Sequence, residues 1–165
     1  MKADLVLSTV RPEDQGVERQ RLIDEPLRLA VAADHPLAER PDVRLADAAG
    51  EQFLMLRPES LLRSVCDDLC RQAGFEPNVS FESEDVHTLR GFVAAGLGVA
   101  IIPASGKGSL DAASGRVRYL QLTDVHAARE IGLAWSAERR LLPAAELFRA
   151  HVIKRARTRR MPEVA

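Results

Sequence analysis

The chain has 165 residues, enough for one ordinary domain or two small lobes, and 46% of them are hydrophobic, which supports a packed core. With 23 basic against 24 acidic residues the net charge is −1, a balance that calls for neither nucleic acid nor an anionic membrane as a partner. Two cysteines exclude a disulfide-framed scaffold, no apolar run approaches the roughly 18 residues of a membrane span, and the opening MKADLVLSTVRPEDQG lacks the apolar core and cleavage pattern of a secretory signal, so a reducing cytoplasm is the expected compartment.

Residues 5–10 (LVLSTV) are short, apolar and β-prone and predict a strand, followed by a polar loop at RPEDQG. Residues 22–38 (LIDEPLRLAVAADHPLA) alternate through 27–31 and predict a strand that ends near a turn at Asp34, His35 and Pro36. VRLADAAG (43–50) has room for one helical turn. FLML (53–56) is the all-apolar run of a strand covered on both faces. Ser60 then stands as the N-cap of a helix. Its apolar stripe is Leu61, Leu62, Val65, Cys66, Leu69 and Ala73, and Gly74 ends it. NVSFE (78–82) alternates as a strand, and either Ser83 or Asp85 caps the next helix, which places Val86, Leu89, Phe92 and Val93 at helical spacing. Residues 106–115 (GKGSLDAASG) read as a loop or weak helix. Strands are expected at 117–122 and 131–135. A last helix starts at Pro143 with Ala144, Leu147, Phe148 and Val152 on one side, and the tail KRARTRR carries five cations in seven residues.

One stretch, GFVAAGLGVAIIP (91–103), holds no charge at all. Its glycines invite a phosphate site, but Gly91, Gly96 and Gly98 are followed by Val99 and Ala100. The lysine and hydroxyl of a P-loop are missing, and the order is helix then strand, the reverse of a dinucleotide fingerprint. The local physics instead gives a helix–turn–strand unit. Gly96 sits where a C-cap wants positive φ, Gly98 allows a tight turn, 99–102 form a buried strand, and Pro103 stops it. The middle of the chain therefore alternates strand and helix, as a parallel sheet wrapped by helices does. Ligands of such sheets sit beyond the carboxyl ends of the strands, facing helix N-termini; here that edge is residues 57–61, 83–86 and 103–105.

Other chemistry has little support. Cys66 and Cys70 are four apart on one helical face, without further ligands nearby, and are expected to pack as reduced, buried apolar residues. His35, His87, His126 and His151 are scattered at no metal-binding spacing. No nucleophile elbow occurs, and Ser105 and Ser109 fall in a glycine-rich loop. Glu82, Glu84 and Asp85 form an acidic cluster better read as a solvated cap region than as an acid–base pair. The basic tail from Lys154 to Arg160 suits a helix C-terminus on dipole grounds, with phosphate contact as the lesser reading.

Four segments, DLVL, LIDEPLRLAVAADHPLA, FLMLRPESLLRSVCDDLCRQAGFEPNVSFES and VAAGLGVAIIP, occur in an order and spacing that resemble the effector-binding domain of LysR-type transcriptional regulators, from about residue 3 to about residue 153. The resemblance implies an α/β fold like that of type 2 periplasmic binding proteins, with two lobes. The family's winged helix-turn-helix, linker helix and opening third of the effector domain have no counterpart here, so the first lobe is expected to be incomplete. The implied division is 1–50 as a partial first lobe, 51–104 as the second lobe, 105–155 as the return to the first lobe and 156–165 as a basic disordered tail. The family binds a small-molecule effector between its lobes. Carried over by position, one wall would be Pro58, Glu59 and Ser60, then Asp85 and Val86, then Ile102, Pro103 and Ala104. Free N–H groups at two helix starts favour an anionic effector and the carboxylates of Glu59 and Asp85 oppose one, which leaves its charge open. The resemblance further implies a homo-oligomer formed through effector domains and contact with promoter DNA only through the domain that has no counterpart here. It implies no cofactor, metal, membrane or enzyme activity. A solute-binding protein of the same fold feeding a transporter and a non-functional truncated remnant are the competing readings. A sheet lacking its first strands should expose an edge and apolar faces, so the chain alone is expected to be poorly soluble or to self-associate.

Overall fold

The computed structural model describes residues 3–9, 16–104 and 115–159. The expected loop and serines at 105–114, together with Val10 and Arg160, lie outside the described residues. The chain divides into two compact units: residues 26–129, and the residues up to Glu25 together with those from Glu130 onward. The 51–104 segment lies within the larger unit. Strands are β1 (Val6–Thr9), β2 (Val17–Ala32), β3 (Gln52–Leu56), β4 (Asn78–Ser83), β5 (Ala100–Pro103), β6 (Val117–Leu120) and β7 (Ala128–Ser136); helices are α1 (Leu61–Gln72), α2 (Val86–Ala94) and α3 (Pro143–Arg159).

In the larger unit the second half of β2 is a central strand. Residues 27–30 pair antiparallel with β5 and residues 29–32 antiparallel with β6. Both faces of this part are covered, which is why Leu27, Leu29, Ala30 and Val31 are fully buried. The single helical turn expected in 43–50 is a 3-10 helix, Leu45–Ala48. Asp124 accepts the N–H groups of Leu45 and Ala46 at 2.7 and 3.1 Å, a cap supplied from far along the chain. β3 and β4 run parallel, with Ser80 as an extra residue that shifts the register between Phe53 and Leu54.

Here the structure departs from a simple parallel sheet. Val99, just before β5, forms an isolated parallel bridge with Phe53, its carbonyl accepting the Leu54 N–H at 2.8 Å, and β5 then forms its ladder with β2. Val99, Ala100, Ile101 and Ile102 are all buried, as their lack of charge requires. α1 and α2 close over this layer with Leu62, Cys66, Leu69, Leu89 and Val93. Gly74 takes φ 89° after α1 and Gly96 takes φ 73° after α2, as their helix-ending roles demand.

In the smaller unit β1 pairs antiparallel with β7, Val6 opposite Ala134 and Thr9 opposite Ile131, and β7 neighbours β2. Trp135 Nε1 donates to Glu18 at 2.8 Å, and the Arg149 guanidinium lies 4.8 Å from the Trp135 ring centre. α3 begins at Pro143 as expected. It differs in two respects. Leu147 and Phe148, which their spacing puts on one side with Ala144 and Val152, are 74% and 56% exposed, because nothing in this unit covers that side of the helix among the described residues. The helix also continues to Arg159, into the 156–165 stretch read as a disordered tail. No helix among the described residues is long and apolar enough to cross a membrane.

Candidate functional site

Parallel alignment of β3 with β4, and of Phe53 with Val99, directs three strand ends the same way. The segments that follow β3 and β4 are locked together by backbone: the Arg57 N–H donates to the Ser83 carbonyl at 3.0 Å. The Ser60 N–H then donates to the Arg57 carbonyl at 3.0 Å, which folds residues 57–60 into a turn and delivers the chain into α1. Pro58 and Glu59 are exposed on this turn and Ser60 is half-buried. Ser60 is at the N-cap in an extended conformation, yet its hydroxyl makes no capping hydrogen bond. Its side chain therefore leaves the first-turn N–H donors of α1 uncapped.

At the start of α2 the choice between Ser83 and Asp85 falls to Asp85. Its carboxylate accepts from the Thr88 N–H and from the Thr88 hydroxyl, both at 2.8 Å, and these bonds hold the Asp85 carboxyl below the usual carboxylate range. Ser83 instead bonds through its hydroxyl to the Asp85 backbone. Val86 is half-buried as the first helical residue.

The third contribution comes from the end of β5. Arg90 of α2 donates through Nη2 to the Pro103 carbonyl at 2.9 Å, tying this strand end to the helix. Ile102 belongs to the core and Pro103 is buried, so of the three carried-over residues there only Ala104 is open to solvent. The three groups stand at the ends of β3, β4 and β5, and the Arg57–Ser83 and Arg90–Pro103 hydrogen bonds tie the neighbouring segments to one another.

The acidic cluster beside this edge is engaged. Glu84 pairs with Arg57 at 2.6 Å, and Glu82 with Arg63 at 2.7 Å. Arg63, only 13% exposed, also holds Asp67 through Nε and donates to the Leu56 carbonyl at 2.9 Å. Its one guanidinium joins α1 to the ends of β3 and β4. These arginines were not singled out by motif. The i,i+4 spacing of Arg63 and Asp67 was a usable signal, but the reach to Leu56 and Glu82 depends on tertiary folding. Cys66 and Cys70 are free and buried behind the edge, and Cys66 Sγ lies 3.3 Å from the Ile101 carbonyl. Burial pushes both thiols up, that of Cys70 to about 12. The described residues hold no cluster of three metal-ligating side chains.

Comparison with known proteins gives this geometry a context. Residues 1–157 match the family described as the LysR substrate binding domain. An uncharacterized HTH-type transcriptional regulator of Bacillus subtilis, YybE, is 38% identical over 148 residues, covering 90% of this chain and 49% of that protein. The DNA-binding transcriptional dual regulator OxyR of Escherichia coli is 39% identical over 103 residues, 62% of this chain and 34% of that protein. Among solved structures, the effector binding domain of QuiR, in complex with shikimate, superposes with a TM-score of 0.85 at 23% identity, over 94% of this chain and 72% of that one. The chain therefore spans about half the length, or less, of the curated relatives it matches. Its fold is that of the LysR effector-binding domains, the type 2 periplasmic-binding-protein-like architecture, and the chain belongs to the LysR substrate-binding-domain family.

Proposed function

We propose that this chain is the effector-sensing part of a LysR-type transcriptional regulator, and that residues 57–60, 84–86 and 104 form one wall of its small-molecule site. The observation that supports this reading is the convergence of the β3, β4 and β5 ends on one edge, beside the starts of α1 and α2. Such an edge is where open α/β sheets hold ligands. In this reading residues 51–104 act as the second lobe, DNA is contacted by a helix-turn-helix outside this sequence, copies associate through their effector domains, and the protein works in the cytoplasm without catalysis or cofactor. Glu82 and Glu84 are paired to arginines, and the first-turn N–H groups of α1, which the Ser60 hydroxyl does not cap, remain open to an acid; the charges of Glu59 and of Asp85, which itself occupies the start of α2, oppose one. Small organic acids are the first class to test, and the shikimate bound by QuiR is one such acid.

Other relatives are described as hydrogen peroxide-inducible genes activators, which invites a second reading, a thiol sensor. The burial of Cys66 and Cys70 opposes it. At pH 7 a thiol titrating near 12 is ionised in about one molecule in 10⁵, and the thiolate is the species that reacts with peroxide.

Two-dimensional NMR of the chain titrated with shikimate, other carboxylic acids and amino acids tests the wall directly. Shifts confined to the amides of Ser60, Leu61, Asp85, Val86 and Ala104 are expected, and Ala104→Trp should abolish them while leaving the rest of the spectrum in place. Saturable shifts elsewhere, or none with any of these ligands, count against the assignment.

A further inference from the structure

The arginines at the ligand edge differ in how their charge is met. Arg57 is matched by Glu84, and Arg63 by Glu82 and Asp67. Arg90 has no such match. Among the described residues it forms no ion pair, and the bond from Nη2 to the Pro103 carbonyl at 2.9 Å is the one hydrogen bond of its guanidinium. Its Nε is buried without a hydrogen-bond partner, a condition that no other buried side-chain nitrogen or oxygen shares among the described residues. A guanidinium keeps its proton at any ordinary pH, so this charge is not relieved by titration as a lysine's could be. A neutral carbonyl meets only part of the demand, and a half-buried cation is best met by an anion.

The placement of Arg90 says where that anion comes from. Helix side chains lean toward the helix N-terminus. Arg90 stands in the second turn of α2, so its side chain leads back to the edge and ends on Pro103, the neighbour of solvent-open Ala104. We propose that Arg90 is the specificity-determining residue of the ligand wall, and that the effector is a small molecule bearing a carboxylate whose oxygens accept from the Arg90 guanidinium beside Ala104. This deepens the proposed wall and rests on it. Glu59 and Asp85 oppose an acid at this edge, so the preference for an acid over its neutral counterpart is supplied by Arg90. The planar fork of donors selects a carboxylate by shape as well as by charge.

The test pairs each acid with a neutral twin. The 165-residue chain, labelled with nitrogen-15, is titrated with shikimate and methyl shikimate, and with benzoate and methyl benzoate. An acid that moves the wall amides should also move the Arg90 Nε–H resonance, and should bind about tenfold or more tighter than its ester. Arg90→Gln should erase that preference by weakening the acid and leaving the ester unchanged. Arg90→Lys, which keeps the charge without the fork, should retain part of it. The Nε–H resonance is read in the wild type, so the test holds even where a variant folds poorly. The proposal is overturned if acid and ester bind alike, if the Nε–H resonance stays still while the wall amides saturate, or if Arg90→Gln takes the acid as tightly as the wild type. Each of those results leaves the wall standing without Arg90. Absence of wall shifts with every acid removes the wall and the role of Arg90 together.

Discussion

At Gly98 the backbone of one segment passes so close to another that no side chain fits. A Cβ there would lie 2.4 Å from the Gln52 carbonyl oxygen and 3.1 Å from Leu54 Cγ, and the same carbonyl accepts the Val99 N–H at 2.9 Å. Gly98→Ala must part β3 from the start of β5. A loss of about 1–3 kcal/mol in urea unfolding is expected, of the size that overpacking costs. Arg63 acts through hydrogen bonds. Arg63→Met strands the Leu56 carbonyl and two carboxylates, and should cost about 1–3 kcal/mol, with Arg63→Lys recovering part of it. Asp85 contributes through its ionised form. Its folded carboxyl titrates below the unfolded one, so its contribution is present above the ordinary carboxylate range and is lost as pH falls through the depressed folded value. The melting-temperature gap between wild type and Asp85→Ala should therefore be widest near neutrality and narrow in acid. The gap between Asp85→Asn, which caps without titrating, and Asp85→Ala should show no such narrowing.

At the level of elements, α1 shows how far pattern reading carries. Its stripe, its Ser60 start and its Gly74 end are all where 3.6-residue spacing puts them, because local rules govern a helix with one buried face. What spacing does not convey is that the Ser60 hydroxyl is idle and that Cys70 is the more buried of the two cysteines. The burial of the thiols sets an expectation: Cys66 and Cys70 should resist Ellman's reagent at pH 8 until denaturant is added. Both thiols titrate higher folded than unfolded. Their stabilising share is intact below the unfolded thiol pKa and drains away as pH rises towards about 12, the folded value for Cys70. β5 and α3 mark where local patterning runs out. The apolar run 99–102 demands burial but says nothing of its partner, and the partner turned out to be β2 for most of its length. In α3 the apolar residues at 144, 147, 148 and 152 match a helical face. Whether such a face is covered depends on chain distant in sequence, and for Leu147 and Phe148 no cover exists among the described residues.

For the molecule as a whole, the family and fold could be read because several moderately specific segments fall in one order, which composition alone would not reveal. The edge where three strand ends meet was legible from the strand–helix alternation. Its fastening by Arg57, Arg63 and Arg90 was not, since each bond spans residues that only folding brings together. The outer edge of β1, a terminal strand with Leu7 exposed, and the exposed side of α3 belong to this scale too. Sedimentation of the chain alone should show concentration-dependent association that Leu7→Asp weakens, and a concentration-independent monomer would contradict that expectation. The shielded thiols carry a practical corollary. The sequence holds no cysteines besides these two, so one introduced in place of Ala104 would be the lone site open to a maleimide dye. A fluorophore could be anchored on the rim without removing a single native residue from the interior.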